Sequence, residues 1–132
     1  MSTLYAVANS VNYMVIGTDN EPEYYIGYFT KYGDGGVDLL PIASLTKTEV
    51  RAWARVLGLP ERLVNRVPSA GFWPGQTDEG EIGVSYDFID RYLVGEKIPP
   101  EIQERIETLH RQSEHKRHKP PEFILPKLKR LT

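Results

Sequence analysis

No cysteine occurs in the 132 residues, which excludes disulfides, thiolate metal sites and cysteine nucleophiles and suits a reducing compartment. No apolar run approaches the ~20 residues that a membrane helix needs, and the first residues carry neither the basic start nor the apolar stretch of a secretory signal. The expected location is the cytoplasm. A G-x-S-x-G motif is also missing, so no serine has the setting of an activated nucleophile, and no residue is assigned a catalytic role.

What is present reads as one soluble domain, with 40% apolar and 26% charged residues. The net charge of −2 hides an asymmetry: residues 111 to 132 are +5 and the remainder is −7. That basic C-terminal tail contains Arg111, Lys116, Arg117, Lys119, Lys127, Lys129 and Arg130. It lacks the interleaved aromatics of a base-stacking surface, having only Phe123, so a solvated charged end is expected rather than a nucleic-acid arm.

Apolar periodicity places Met1, Leu4, Tyr5, Ala8 and Val11 on one helical stripe, with no capping residue before Met1. The short run Tyr13 to Gly17, followed by Thr18, Asp19 and Asn20, predicts a buried strand ending in a polar turn. A second strand is predicted from Val37 to Ala43, with Pro41 pushing it toward a sheet edge. Thr46 and Glu49 have capping-box spacing for a helix that reaches about Leu57, stops at Gly58 and buries Val50, Trp53, Ala54 and Leu57. A helical turn is expected after Pro60. Ser85 is the expected N-cap of a helix over YDFIDRYL, and Pro99 or Pro100 starts another that carries Ile102, Ile106 and Leu109 on one face and ends near Ser113. Residues 68 to 86, PSAGFWPGQTDEGEIGVSY, show neither period. So long a stretch is expected to be a lid, a binding loop or a linker, with residues 70 to 82 the least ordered internal segment. Two strands and four or five helices make a poor parallel sheet, so either the helices carry the fold or part of the sheet lies outside this sequence.

Chemistry-bearing side chains concentrate between Thr18 and Asp38, where Asp19, Glu21, Glu23, Lys31, Asp34 and Asp38 lie among tyrosines and Phe29. Carboxylates just beyond a strand end suit Mg2+ bridging substrate phosphates; as turn formers and solvated charges they carry no chemistry. Lys47, at the first position of a capped helix, is placed to meet an anion or simply to face solvent. His110, His115 and His118 are spaced five and three apart in a basic, proline-flanked segment, which is not a zinc framework. In the long loop, Ser69, Gln76, Thr77, Asp78 and Glu79 surround Phe72 and Trp73 and suit binding better than catalysis.

Three blocks, GTDNEPEYYIGYFTKYGDGGVDLLPIASLTKTEVR, PSAGFWPGQTDEGEIGVSYDFIDRYL and SEHKRH, closely resemble consecutive blocks of the NAD synthetases, in order and with the expected spacing. These ligases convert deamido-NAD to NAD with ATP and ammonia. The resemblance implies Mg2+ as cofactor, ATP as co-substrate, and ATP contacts from Thr18, Lys47 and Ser69, with Glu23 as a magnesium ligand. It further implies deamido-NAD contacts from Lys31, Asp38, His115 and Lys116, and a mobile lid made by the loop.

The family's fold is an adenine-nucleotide α-hydrolase-like (Rossmann-like) α/β layer on a five-stranded parallel sheet, with a pyrophosphate loop of the form SGGxDS after the first strand. That motif is absent here. The expected fold class is therefore α/β, the C-terminal strands and helices of such a layer, with residues 1 to 132 as the C-terminal part of a single domain. Activity of this chain alone is not expected. The expected partners are deamido-NAD, ATP, ammonia, and either a second copy in a homodimer or a complementing N-terminal half. The alternative is a non-catalytic nucleotide-binding or interaction module that needs a partner chain.

Overall fold

This computed structural model describes residues 1–124, which form seven α-helices and one 3-10 turn. They are α1 (Ser2–Ser10), α2 (Glu21–Ile26), α3 (Lys47–Val56), α4 (Glu61–Val64), α5 (Asp78–Ile82), α6 (Tyr86–Leu93), α7 (Pro100–Gln112) and the 3-10 turn Glu114–Lys116.

The core lies where α2, α6 and α7 meet, around Ile26, Ile82, Val84, Tyr86, Ile89 and Ile106. Local signals set each of these helices. The Asn20 side chain accepts from Glu23 N while Glu23 accepts from Asn20 N, a capping box that starts α2. Ser85 accepts from Phe88 N at 3.4 Å to start α6 as expected, and α7 begins at Pro100 with Ile106 fully buried from its predicted stripe. Gly27 closes α2 in the left-handed region, φ 73, and a Cβ there would stand 2.1 Å from Ser113 Cβ. Only glycine satisfies both conditions.

The expected sheet is reduced to one parallel bridge, Ile16 to Leu39, among the described residues. Gly17 N donates to Leu39 O at 2.8 Å and Asp38 N to Val15 O at 2.9 Å. The segment Tyr13 to Gly17 is not a buried strand: Val15 and Gly17 point inward, whereas Tyr13, Met14 and Ile16 are exposed. Residues 41–44 form a turn instead of continuing a strand from Val37, as Pro41 lacks the N–H a ladder requires.

Two predicted apolar faces stay largely exposed among the described residues. Helix α3 starts at its capping box as expected but buries no residue, with Trp53 58% and Leu57 71% exposed and Val50 and Ala54 half-covered. On α1 only Ala8 is buried, while Leu4 and Val11 face solvent. Periodicity identifies which side of a helix is apolar, and burial also needs an opposing surface.

The stretch from Pro68 to Tyr86 is not uniformly irregular. Thr77 caps α5 by accepting from Gly80 N, Gly83 ends it at φ 77, and Ile82, Val84 and Tyr86 enter the core. Among the described residues, no helix is long and apolar enough to cross a membrane.

Candidate functional site

The turn that follows the bridge at Thr18, the α2 capping turn, α3, α4 and the segment Arg66 to Ala70 line an open cavity of about 570 Å³. Thr18, Glu23, Lys47 and Ser69 all line it, so four residues from three distant stretches of sequence share one space. Arg51 and Arg66 line it as well and were not singled out from sequence. Arg51 follows Lys47 by four residues on one helical face, a spacing that was legible.

Lys47 is held at both ends. Its backbone N–H donates to Asp90 Oδ1 at 3.0 Å, and Thr48 N–H donates to Asp90 Oδ2 at 2.8 Å. The next amide, Glu49 N–H, donates to Thr46 Oγ1 at 3.2 Å. The amides at the start of α3, expected to favour a ligand anion, are therefore taken by protein oxygens, and Lys47 offers its side chain alone. The Lys47 Nζ lies 2.7 Å from Glu23 Oε1 and 4.6 Å from the centre of the Tyr86 ring.

Glu23 uses Oε2 as the α2 cap and Oε1 for Lys47, with the Tyr86 hydroxyl at 3.4 Å. One turn earlier, Asp19 is only 4% exposed and its Oδ2 has no hydrogen-bond partner. Burial, then the charges of Asp34 and Glu23, push the Asp19 carboxyl up to about 6. Burial and the neighbouring Glu23 and Asp78 raise the Tyr86 phenol far above its ordinary value, so it stays neutral. Among the described residues no three metal-type side chains converge. Mg2+ needs only one or two protein carboxylates beside water and phosphate oxygens; Asp19 Oδ2 is open to such an ion, and Glu23 Oε1 becomes so only where Lys47 leaves it.

A second cavity, also about 570 Å³, shares Tyr28, Asp34 and Ala70 as walls with the first and is lined by Phe72, Gln76 and Lys116. Lys116 Nζ donates to Gly27 O at 2.7 Å and Phe29 O at 2.6 Å. Arg117 donates to Tyr24 O, Tyr25 O and His110 O. These two cations cap the C-terminal end of α2, where the helix dipole favours positive charge, and are not part of a solvated tail. Lys31 Nζ donates to His115 O, which gathers Lys31, His115 and Lys116 in one region. Asp38 stands apart: it accepts from Val15 N at 2.8 Å and Tyr5 Oη at 3.1 Å and lines neither cavity. The His110 ring stacks on Tyr25 with centroids 4.1 Å apart, and His118 pairs with Glu114 at 3.3 Å. Lys127, Lys129 and Arg130 of the basic tail lie outside the described residues.

The long loop is anchored at its C-terminal side. Asp78 N–H donates to Pro68 O at 3.0 Å, the Gln76 amide accepts from Phe72 N–H at 2.7 Å and donates to Glu81 at 3.0 Å, and Tyr28 donates to Glu81. Between these anchors Phe72 is 81% and Trp73 53% exposed, and Gly71 and Gly75 take positive φ.

The family described as NAD synthase matches residues 1–120. The NH(3)-dependent NAD(+) synthetase of Alkaliphilus oremlandii is 64% identical over 121 residues, covering 92% of this chain and 48% of the relative. Its counterpart from Carboxydothermus hydrogenoformans is 54% identical over 120 residues, 91% of this chain and 49% of the relative. Among solved structures, the NMN synthetase from Francisella tularensis superposes with a TM-score of 0.88 at 44% identity, covering 96% of this chain and 52% of that one. The NH3-dependent NAD synthetase from Campylobacter jejuni, in complex with nitrate, gives 0.69 at 28% identity, covering 94% and 51%. The chain thus spans about half the length of the relatives it matches.

Proposed function

Because the chain belongs to the NAD synthase family, we propose that it supplies the C-terminal half of an ATP-dependent amide-forming site that converts deamido-NAD to NAD with ammonia. The supporting observation is the convergence of Thr18, Glu23, Lys47 and Ser69 on one cavity that adjoins a second one lined by Lys116. In this reading Thr18, Lys47 and Ser69 meet ATP in the first cavity. Lys116 approaches deamido-NAD from the second, Lys31 and His115 approach it from the region beside Lys116, and Asp38 approaches it from the bridge side.

The chemistry is acyl activation. The nicotinate carboxylate attacks the α-phosphorus, pyrophosphate leaves, and ammonia then displaces AMP to form the amide. Glu23 would hold a divalent cation, which would supply charge neutralisation at the phosphate oxygens. Lys47 moves its charge from Glu23 toward phosphate, Ser69 donates its hydroxyl, and residues 70 to 76 close over the junction of the cavities to exclude water that would hydrolyse the adenylate. The 132 residues hold no SGGxDS motif, so in this reading the pyrophosphate cradle is supplied from outside them, and the complete assembly is read as a cytoplasmic homodimer.

The test is NAD formation from deamido-NAD, ATP and ammonia, with this chain alone and with the N-terminal half of a relative added. Activity only in the mixture is the expected result. Activity of the chain alone would refute the need for a partner, and an inactive mixture of two folded halves would refute the enzyme reading. The likeness to the NMN synthetase supports a second acceptor, nicotinate mononucleotide, and the same assay with that substrate decides between them.

A further inference from the structure

Helix α6 presents two residues, Tyr86 and Asp90, to one lysine. They stand four apart and therefore share a helical face, and both are buried. Asp90 binds the Lys47 and Thr48 amides at 3.0 and 2.8 Å, which locks the start of the lysine's own helix. Tyr86, 1% exposed, lies under the ammonium at 4.6 Å from its ring centre. Its hydroxyl is tied 3.2 Å from Asp78 Oδ2, so the ring cannot swing away.

We infer that Tyr86 and Asp90 are positioning residues that clamp Lys47 at its backbone and at its ammonium, and that hold it ready to exchange Glu23 for a nucleotide phosphate. The inference rests on the reading of Lys47 as an ATP contact. A lysine side chain has large rotamer entropy, which an anion would otherwise have to overcome to recruit it. Glu23 also holds the ammonium, but as an anion it competes with phosphate for the same charge. The ring attracts the cation through its quadrupole and leaves its charge available. Asp90 spends its own charge on backbone amides at the positive end of α3, so it adds little repulsion toward an incoming phosphate. Clamp and competitor are thus separated: α6 keeps Lys47 in place while Glu23 lets go of it.

The test uses the full chain and its Tyr86→Phe, Tyr86→Leu, Asp90→Asn and Lys47→Ala variants. The Lys47 Hε and Hζ resonances, identified by their loss in Lys47→Ala, are expected upfield of other lysines through the ring current, retained in Tyr86→Phe and lost in Tyr86→Leu. MgATP titration is expected to show weakening by about tenfold in Tyr86→Leu, rescue to within about twofold in Tyr86→Phe, and weakening in Asp90→Asn with faster amide exchange at Lys47 and Thr48. An unshifted Lys47 resonance in the wild type overturns the clamp, and so does equal affinity in the wild type and the Tyr86→Leu protein where Lys47→Ala does weaken binding. Unchanged affinity in Lys47→Ala beside an intact resonance signature instead overturns the ATP role of Lys47 and leaves the clamp standing. If the wild-type chain alone does not bind MgATP, the resonances still decide the clamp.

Discussion

Lys47 Nζ and Glu23 Oε1 lie 2.7 Å apart, each side chain about 15% exposed, which joins the two groups expected to bind phosphate and metal into an ion pair. Each shields the other in a half-dry cavity, where the pair is stronger than at the surface and a lone survivor is costly.

Glu23→Gln should therefore lower stability by roughly 1–3 kcal/mol, since it strips a partly buried ammonium of its anion. Urea unfolding measures the loss. The double variant Glu23→Gln with Lys47→Met, which removes both charges, should recover part of it. Glu23→Gln should also abolish any Mg2+ dependence of ATP binding.

Asp19 sets a pH response. Its folded carboxyl titrates near 6 against an ordinary 3.8, so the native state holds more protons than the unfolded chain between those values. Stability should fall as pH rises from about 4 to about 6 on this group's account, and level off above. Asp19→Asn should remove that arm and raise the melting temperature at pH 7, and the side-chain carboxyl 13C shift of Asp19 should titrate near 6. A titration near 4 would count against it.

Gly27→Ala should unfold the end of α2. The added Cβ meets Ser113 Cβ at 2.1 Å in a backbone of φ 73, so conformational strain and overlap combine. A loss of at least about 2 kcal/mol in thermal or urea unfolding is expected.

Trp73 reports on the loop. It is 53% exposed between anchored ends, so in a Trp53→Phe background its emission should sit at long wavelength and be quenched freely by acrylamide. Closure of the loop over nucleotide should shift that emission to the blue when MgATP and deamido-NAD are added to the complemented protein. Unchanged emission under turnover would argue against a lid.

The elements that were legible in sequence are those defined by neighbours in sequence. Thr46 with Glu49, Ser85 before its helix, Pro100 and the Ile102, Ile106, Leu109 stripe all act within one or two turns, and the structure forms each helix where they stand. Helices α2 and α5 were missed although Asn20, Glu23 and Gly27, and Thr77 and Gly83, bracket them with caps. Both are too short to build an apolar stripe, so period alone left them as irregular chain. Trp53 and Leu57 failed differently: their face is apolar, but the described residues cover only part of it.

The sequence by itself determined the family motifs, the caps and the side-chain types available to a nucleotide site, because these depend on residue identity and local backbone preference. Tertiary structure alone decided which charges remain available. Asp90 reaches Lys47 across 43 positions, Glu23 reaches it across 24, and Lys116 closes α2 from 89 residues beyond Gly27. Hydrogen bonds and ion pairs depend on separation in space and on burial, and neither follows from position along the chain.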